Sequence, residues 1–408
     1  MKNKTGIPYE ILAPLDSDEV IIFKEKILKP FDSNVLAFIN EVSNLILKDP
    51  SFRRYPELVA MAFWMRKSNI SKLKTDFETE KGDRLWSARG VVFHIAPSNV
   101  DTIFIYSWFL SMLVGNINIV RISSRLNEPV RVLIDLINKI ANKEEYSEIK
   151  NRFLIIQYER NDEITGHFSS ACDVRVIWGG DETIKRIRQI PLDPTATELI
   201  FADKFSFSLI NADIFNSSDS KSELINNFYN DAYWFGQNAC SSPRLVVWLG
   251  KADAIDKARK EFWSLLSVSV KKKLENAPAV AVTKLVSECA LAINSRGDVR
   301  MEESDTSLIN RIFINDPDDI DREGHCGGGL FYEFKIEKLE ELLKIIKPKD
   351  QTISVFGVSE EALRKLMENY RPPGVNRIVP VGRSLNFSSI WDGYNLLREF
   401  CREIDIAV

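Results

Sequence analysis

Histidine and cysteine are scarce in this 408-residue chain, at three and five residues. The histidines, His94, His167 and His325, stand far apart, which argues against a histidine-rich metal centre; no metal is expected. The cysteines (Cys172, Cys240, Cys289, Cys326 and Cys401) are odd in number, and no two have CxxC spacing. Neither a disulfide framework nor a zinc knuckle is indicated, and the pattern points to a reducing cytoplasm. With 18 glycines and 16 prolines, collagen-like and low-complexity readings fall. No charge sign dominates: 54 Lys+Arg face 58 Asp+Glu, for a net charge of −4, and no long basic block offers a footprint for nucleic acid. The N-terminus has two early lysines but no apolar stretch after them, so no secretory leader is expected. Only Thr102–Val120 approaches membrane-spanning length without a charge. Gly115, Asn116 and Asn118 interrupt it and Arg121 follows, so a buried helix and then a buried strand are expected, not a span.

What is present is the texture of an ordinary globular chain, 45% hydrophobic and 27% charged. Over residues 1–85 apolar positions recur at helical spacing, as in Val35, Phe38, Ile39, Val42, Leu45 and Ile46. From Gly90 short β-branched runs alternate with helix-length segments: GVVFHI (90–95), INIVRI (117–122), FLIIQY (153–158) and DVRVIW (173–178). Continuous apolar runs of this length suit strands buried on both faces of a parallel α/β sheet. A second series of strands begins near Phe205 and includes RLVVWL (244–249), RIFIND (311–316), GLFYEF (329–334) and QTISVF (351–356). The last segment, SSIWDGYNLLREFCREI, reads as a terminal helix. The organisation expected is a helical N-terminal segment (1–85), a first α/β domain (86–204), a second (205–374) and a C-terminal return (375–408).

A doubly wound sheet places ligands at the carboxyl ends of its strands. In the first series those ends are Pro97-Ser98-Asn99, Arg121 to Arg125 with Ser123, and Gly179-Gly180-Asp181. No GxGxxG is present. Gly179-Gly180 would still let a phosphate approach a helix N-terminus, although Asp181 also serves as a plain helix cap. Among the cysteines, Cys240 lies in GQNACSSPR, a small polar turn that permits the access a nucleophile needs. Cys326 competes, with His325 before it and three glycines after it. Spacing alone ranks Cys240 only slightly ahead. His94, inside an apolar strand, reads as a satisfied core histidine.

Four segments in order carry a resemblance. GVVFHIAPSNVDTIFIYSWFLSMLVGNINIVRISSR, WGGDETIKRIRQIPL, DAYWFGQNACSSPRLVVWLG and RIVPVGRSLNFSSIWDG resemble motifs of the LuxC-type acyl-CoA reductases, within the aldehyde dehydrogenase superfamily. The resemblance implies an aldehyde dehydrogenase-like architecture of two Rossmann-like parallel-sheet domains, and usually a homo-oligomer. It implies that Cys240 accepts the acyl group and that Asn99 helps stabilise the oxyanion. Glu198, in TELIFADK, falls where the superfamily places a general base, although Ile200 and Phe201 stand where two glycines are usual. Arg121 falls where a cation meets the adenosine ribose, which with the family's habit implies NADPH. Pro97, Ser98, Ser123, Gly179 and Gly180 are the implied companions at the cofactor.

The expected activity is reduction of an acyl thioester, on coenzyme A or on an acyl-carrying protein such as an acyl-protein synthetase partner, to the aldehyde. Two alternatives stay open: an aldehyde dehydrogenase working oxidatively, and a non-catalytic scaffold presenting the acyl group. Asn99 as a simple turn residue, Arg121 as a strand-end cation and Glu198 as a structural ion pair are the plainer readings of those residues.

Overall fold

The computed structural model describes residues 9–96, 104–124, 126–275 and 277–408. The chain divides into two compact units, residues 1–202 with 387–408, and residues 203–386. The second unit runs on past residue 375, where a return to the first was expected, because Arg377–Pro380 pairs in parallel with the strand Asp350–Phe356. The return begins at Phe387.

The first unit holds strands β1 (Glu10–Ala13), β2 (Leu85–Ala88), β3 (Val91–Ile95), β4 (Ile117–Ile122), β5 (Phe153–Gln157), β6 (Val174–Trp178) and β7 (Thr197–Phe201). Six of them form one sheet in the order β1-β5-β4-β3-β6-β7, parallel throughout except for β1 at the edge. Successive strands step outward from β3 to β4 and β5, and the winding then reverses to β6 and β7. The topological switch of a doubly wound sheet therefore lies between β3 and β6. The crossover helices show why these residues form them. In Glu128–Ala141, Asn127 caps the Val130 N–H at 3.1 Å, Pro129 occupies the first turn, and Val130, Leu133, Ile134 and Ile137 turn one buried face inward. Phe104–Leu113 is buried at every position but Tyr106, so its uniform apolarity is that of a core helix. Gly115 makes the turn from it into β4 at φ +93°, and a Cβ there would stand 2.1 Å from the Leu28 carbonyl oxygen. Among the described residues no helix is long and apolar enough to cross a membrane.

The terminal segment departs from the helix expected there. Ile390–Trp391 and Tyr394–Asn395 form a small hairpin, Leu396–Glu399 makes one helical turn, and Cys401–Ile404 pairs antiparallel with β2. Asp392 and Gly393 take left-handed φ values of +48° and +83°, which no helix continues through.

His94, on β3, is fully buried, with Nε2 at 3.0 Å from Asn118 Oδ1 and Nδ1 at 3.2 Å from Ser107 Oγ. Burial pushes its imidazole down to about 4. The unfolded chain therefore takes a proton at this ring near pH 6.5 while the folded chain does not, and stability falls as pH drops from 6.5 towards 4. The full loss is roughly 3 kcal/mol. Melting temperature measured across that range is expected to decline, and to decline less steeply in His94→Gln. Equal slopes would show that the ring contributes nothing to acid lability.

The second unit holds β8 (Phe205–Asn211), β9 (Pro243–Leu249), β10 (Val299–Glu302), β11 (Asn310–Ile314), β12 (Leu330–Ile336), β13 (Asp350–Phe356) and β14 (Arg377–Pro380). Their order is β10-β11-β12-β9-β8-β13-β14, parallel except for the β10 edge. Apolar layers cover both faces of this sheet. One is built on Phe205, Phe207, Leu245, Ile312 and Ile353, the other on Phe228, Val246, Trp248, Phe262 and Phe331.

Candidate active site

Cys240 ends the turn that follows the helix Lys221–Tyr233 and leads into β9. It sits at the amino ends of β8, β9 and β13, the opposite end from the one the doubly wound rule favours for ligands. Ser206 Oγ, at the start of β8, donates to the Cys240 carbonyl at 2.7 Å and accepts the Thr352 N–H of β13 at 3.1 Å. Gln351 Nε2 donates to Cys240 Sγ at 3.4 Å. The turn itself is held from beneath by Gln237, fully buried at φ +64°. Its Nε2 donates to the carbonyls of Pro243 and Leu330, both at 2.9 Å, and its Oε1 accepts the Gly329 N–H. That hydrogen bonding fixes the turn to the strands on both sides of it.

Two guanidiniums bear on the thiol. Arg244 and Arg377 are both buried enough for desolvation to push them down; Arg244 is favoured by the Cys240 and then the Asp203 charge, and Arg377 by Asp231 and then Cys240. Positive charge beside a thiol favours its nucleophilic form. His325 is not available as a base: burial, then the Arg244 charge, pushes its ring down to about 3. Its Nδ1 accepts the Gly327 N–H and its Nε2 donates to the Leu330 carbonyl. His325 and Cys326 thus form the neck of the glycine loop. Gly327, Gly328 and Gly329 all have positive φ, and a Cβ on Gly329 would lie 2.2 Å from the Leu308 oxygen. That close packing brings the loop against Gly236 and Asn238.

Beside this loop lies a cavity of about 400 Å³, walled by Leu274, Val280 and Leu308 with Asn238, Gly328 and Lys284. Lys284 is 1% exposed, its amine is pushed down by burial, and its Nζ donates to the Ser307 carbonyl at 2.5 Å.

In the first unit, Arg121 lies at the carboxyl end of β4. Its Nη2 donates to the Tyr158 carbonyl at 3.1 Å and its guanidinium covers the Tyr158 ring. Burial pushes it down, and the Arg186 and Arg160 charges add to that. Ser123 accepts Gln157 Nε2 on its backbone carbonyl at 2.8 Å. At the end of β6 the Gly179 N–H donates to the Phe201 carbonyl. Gly180 then starts the helix Asp181–Arg188 with no side-chain cap, and a Cβ on it would meet nothing within 4 Å. Pro97, Ser98 and Asn99 lie outside the described residues.

Glu198 stands differently from the base expected of it. In β7 it is in register with Arg175, whose Nε and Nη2 both donate to its Oε1, at 2.9 and 2.5 Å. Arg188 Nε lies 3.1 Å from its other oxygen. A carboxylate held by two guanidiniums has the geometry of a structural ion pair. Sequence reading also left out Gln351, Arg244 and Arg377. The only local signal is that each stands at a strand's first or second residue, where a polar side chain reaches past the sheet.

Among solved structures the chain is similar to proline utilization A from Bradyrhizobium japonicum, at 12% identity and a TM-score of 0.63, covering 91% of this chain and 42% of that one. Aldehyde dehydrogenase 21 from Physcomitrella patens, in complex with succinate, gives 12% identity and a TM-score of 0.63, covering 91% and 83%. PnpE in complex with nicotinamide adenine dinucleotide gives 13% and 0.60, covering 91% and 82%. At such identities the likeness shows the fold alone, and the chain spans well under half of the proline utilization A chain. No curated protein sequence matches it. The acyl-CoA reductase (LuxC) family model matches residues 68–307, more than half of the chain. This protein therefore belongs to the LuxC family of acyl-CoA reductases and has the aldehyde dehydrogenase fold.

Proposed function

We propose that this protein reduces an acyl thioester to the aldehyde, with Cys240 as the acyl-accepting nucleophile and NADPH as the reductant. The observation that carries the reading is the setting of Cys240: a turn pinned by Gln237, with the Gln351 amide on Sγ and two arginines bearing on it. The Cys240 thiolate attacks the thioester carbonyl carbon. The carbon–sulfur bond to the carrier breaks, its thiolate leaves and takes a proton from solvent, and the acyl group stays on Cys240. Asn99 is the residue that the family resemblance assigns to stabilising the oxyanion, and a donor of that kind is worth about 3–4 kcal/mol. A nicotinamide dinucleotide, when bound, would supply the hydride that the acyl carbon held on Cys240 accepts. When the carbon–sulfur bond to Cys240 then breaks, the aldehyde departs and the thiolate is restored.

In this reading Gly179, Gly180, Ser123, Pro97 and Ser98 hold the dinucleotide, and Arg121 receives the 2′-phosphate with Arg160 and Arg186 in electrostatic reach. No step requires a base to activate water, so Glu198 is free to serve as the partner of Arg175. The cavity beside Asn238 suits an apolar acyl chain, with Leu274, Val280 and Leu308 as its walls.

The test is to incubate the protein with a series of acyl-coenzyme A thioesters, without reductant, and record intact mass. A gain of one acyl group is expected, on Cys240 by peptide mapping. NADPH is expected to discharge it faster than NADH. Absence of any adduct across the series, together with NADP-dependent oxidation of aldehydes, would overturn the reading.

A further inference from the structure

The sheet of the second unit is irregular at one level, the level that holds Cys240. Ser206 on β8 marks it. From Ser206 to Phe207 the partners on β9 advance from Pro243 to Leu245, so Arg244 is an extra residue on that side. On the other side β13 advances from Asp350 to Ile353 while β8 advances only from Phe205 to Phe207, so β13 carries one extra residue within Gln351–Thr352. A bulge bends its strand and re-aims the side chains on it. Successive side chains of a regular strand point to opposite faces, but here two of them meet: Thr352 Oγ1 donates to Gln351 Oε1 at 3.2 Å. The bulge is pinned on both sides. Asp350, fully buried before it, accepts Arg322 Nε and Nη2 at 2.8 and 3.0 Å and the Lys347 N–H at 2.8 Å. The Thr352 N–H donates to Ser206 Oγ at 3.1 Å, and the same Oγ donates to the Cys240 carbonyl at 2.7 Å.

The amide of Gln351 has two unlike ends, a nitrogen that donates and an oxygen that only accepts. Gln351 is 2% exposed and Thr352 1%. With Oε1 taken by the Thr352 hydroxyl, the donor end faces the nucleophile, Nε2 to Cys240 Sγ at 3.4 Å. Turned over, the amide would set its oxygen against the sulfur and repel a thiolate. A neutral thiol gains little from an N–H donor, whereas a thiolate gains a charge-assisted hydrogen bond. We propose that Gln351 is a catalytic residue whose amide N–H stabilises the Cys240 thiolate, and that Thr352 is the positioning residue that keeps that end of the amide on the sulfur. The bond acts twice in the reaction. It holds the sulfur ionised for attack on the thioester. It also receives the sulfur at aldehyde release, when the electron pair of the carbon–sulfur bond returns to Sγ and the hydroxyl proton of the reduced adduct passes to solvent.

The inference rests on Cys240 being the nucleophile, but its test needs neither acyl substrate nor reductant. The rate of alkylation by iodoacetamide is measured from pH 5 to pH 10 on the full chain, with the peptide carrying Cys240 read separately from that carrying the exposed Cys289. In Gln351→Met, which fills similar space without a donor, the midpoint of the profile is expected to rise by about one pH unit, equivalent to a tenfold loss of thiolate at low pH. Gln351→Glu, which sets a carboxylate against the sulfur, is expected to raise it further. Thr352→Val keeps the shape but loses the hydroxyl, and a smaller rise is expected. Thr352→Ser keeps the hydroxyl and is expected to restore the wild-type midpoint. Thr352→Val combined with Gln351→Met is expected to match Gln351→Met alone, because Thr352 acts only through the amide. Gln351→Asn falls one methylene short of the sulfur; its midpoint is expected to rise too, and it decides the matter if Gln351→Met does not fold. An unmoved midpoint in folded Gln351 variants would overturn the proposal. So would Thr352→Ser shifting as far as Thr352→Val, or shifts that add in the double variant. Absence of an acyl adduct leaves these midpoints readable, so the two proposals fail separately.

Discussion

Cys240→Ala is expected to lower acyl-thioester-dependent NADPH oxidation by on the order of 10⁴-fold or more, as removal of a covalent nucleophile does in studied enzymes. The size follows from what has no substitute at this end of the sheet. Arg244 and Arg377 stabilise a negative charge on sulfur, and Gln351 donates to it, but none of them can attack a carbonyl. Cys240→Ser is expected to be nearly as inactive. A hydroxyl stays protonated near neutral pH even with two guanidiniums beside it, and His325 is committed to Gly327 and Leu330 and cannot act as its base. The cost to folding is expected to be small, because the turn is held by the Gln237 side chain and by the Cys240 carbonyl, which either variant keeps. Cofactor affinity, read by NADPH fluorescence, is expected to be unchanged. More than a tenth of wild-type turnover in Cys240→Ala would remove this cysteine from the mechanism.

The residues that support Cys240 show what the sequence made legible. Runs such as GVVFHI and RLVVWL carry their own evidence, because a strand buried on both faces must be apolar throughout. A small polar turn before such a run marks an accessible cysteine, and four ordered motifs mark the family. Register is another matter. Gln351 is 111 residues from Cys240, and Ser384 is 153 from Asp231. Both pairs meet only because the β8–β13–β14 side of the sheet is laid down in one order, and apolar periodicity reads a strand's faces without naming its neighbours. Glu198 makes the same point in reverse: its place in a motif suggested a base, whereas its register against Arg175 makes it half of an ion pair. The terminal segment departs from helical spacing for a local reason. Helical spacing is broken at Asp392 and Gly393 by left-handed backbone, and the rest of the segment follows β2 instead of its own propensity.

Glu333→Ala is expected to destabilise the second unit by about 3–5 kcal/mol, the range seen when one partner of a buried ion pair is removed. Glu333, on β12, is fully buried. Arg259 Nε and Nη2 donate to its two oxygens at 2.8 Å each, and the indole N–H groups of Trp248 and Trp263 reach it at 2.9 and 2.8 Å. Arg311 adds a longer contact at 3.4 Å. Truncation leaves the buried Arg259 with only its longer contacts to Glu302 and Asp256, at 3.6 and 3.8 Å, and orphans both indole N–H groups, at roughly 1–3 kcal/mol for each orphan. In a unit of this size the loss is expected to lower the melting temperature by on the order of 10 °C. Replacing Arg259 and Glu333 together by Met is expected to recover only part of it, since the two tryptophans still lack an acceptor. The pH dependence follows from the same contacts. Burial alone would push the carboxyl up, but the Arg259 bonds and charge outweigh it and hold the group below its ordinary value. Its contribution is therefore complete above the unfolded glutamate range near pH 4 and is lost as pH falls through the lower folded value. The gap in stability between wild type and Glu333→Ala is expected to be widest at neutral pH and to close in acid. A gap under about 1 kcal/mol at pH 7 would mean that the cluster's desolvation cost cancels its hydrogen bonds.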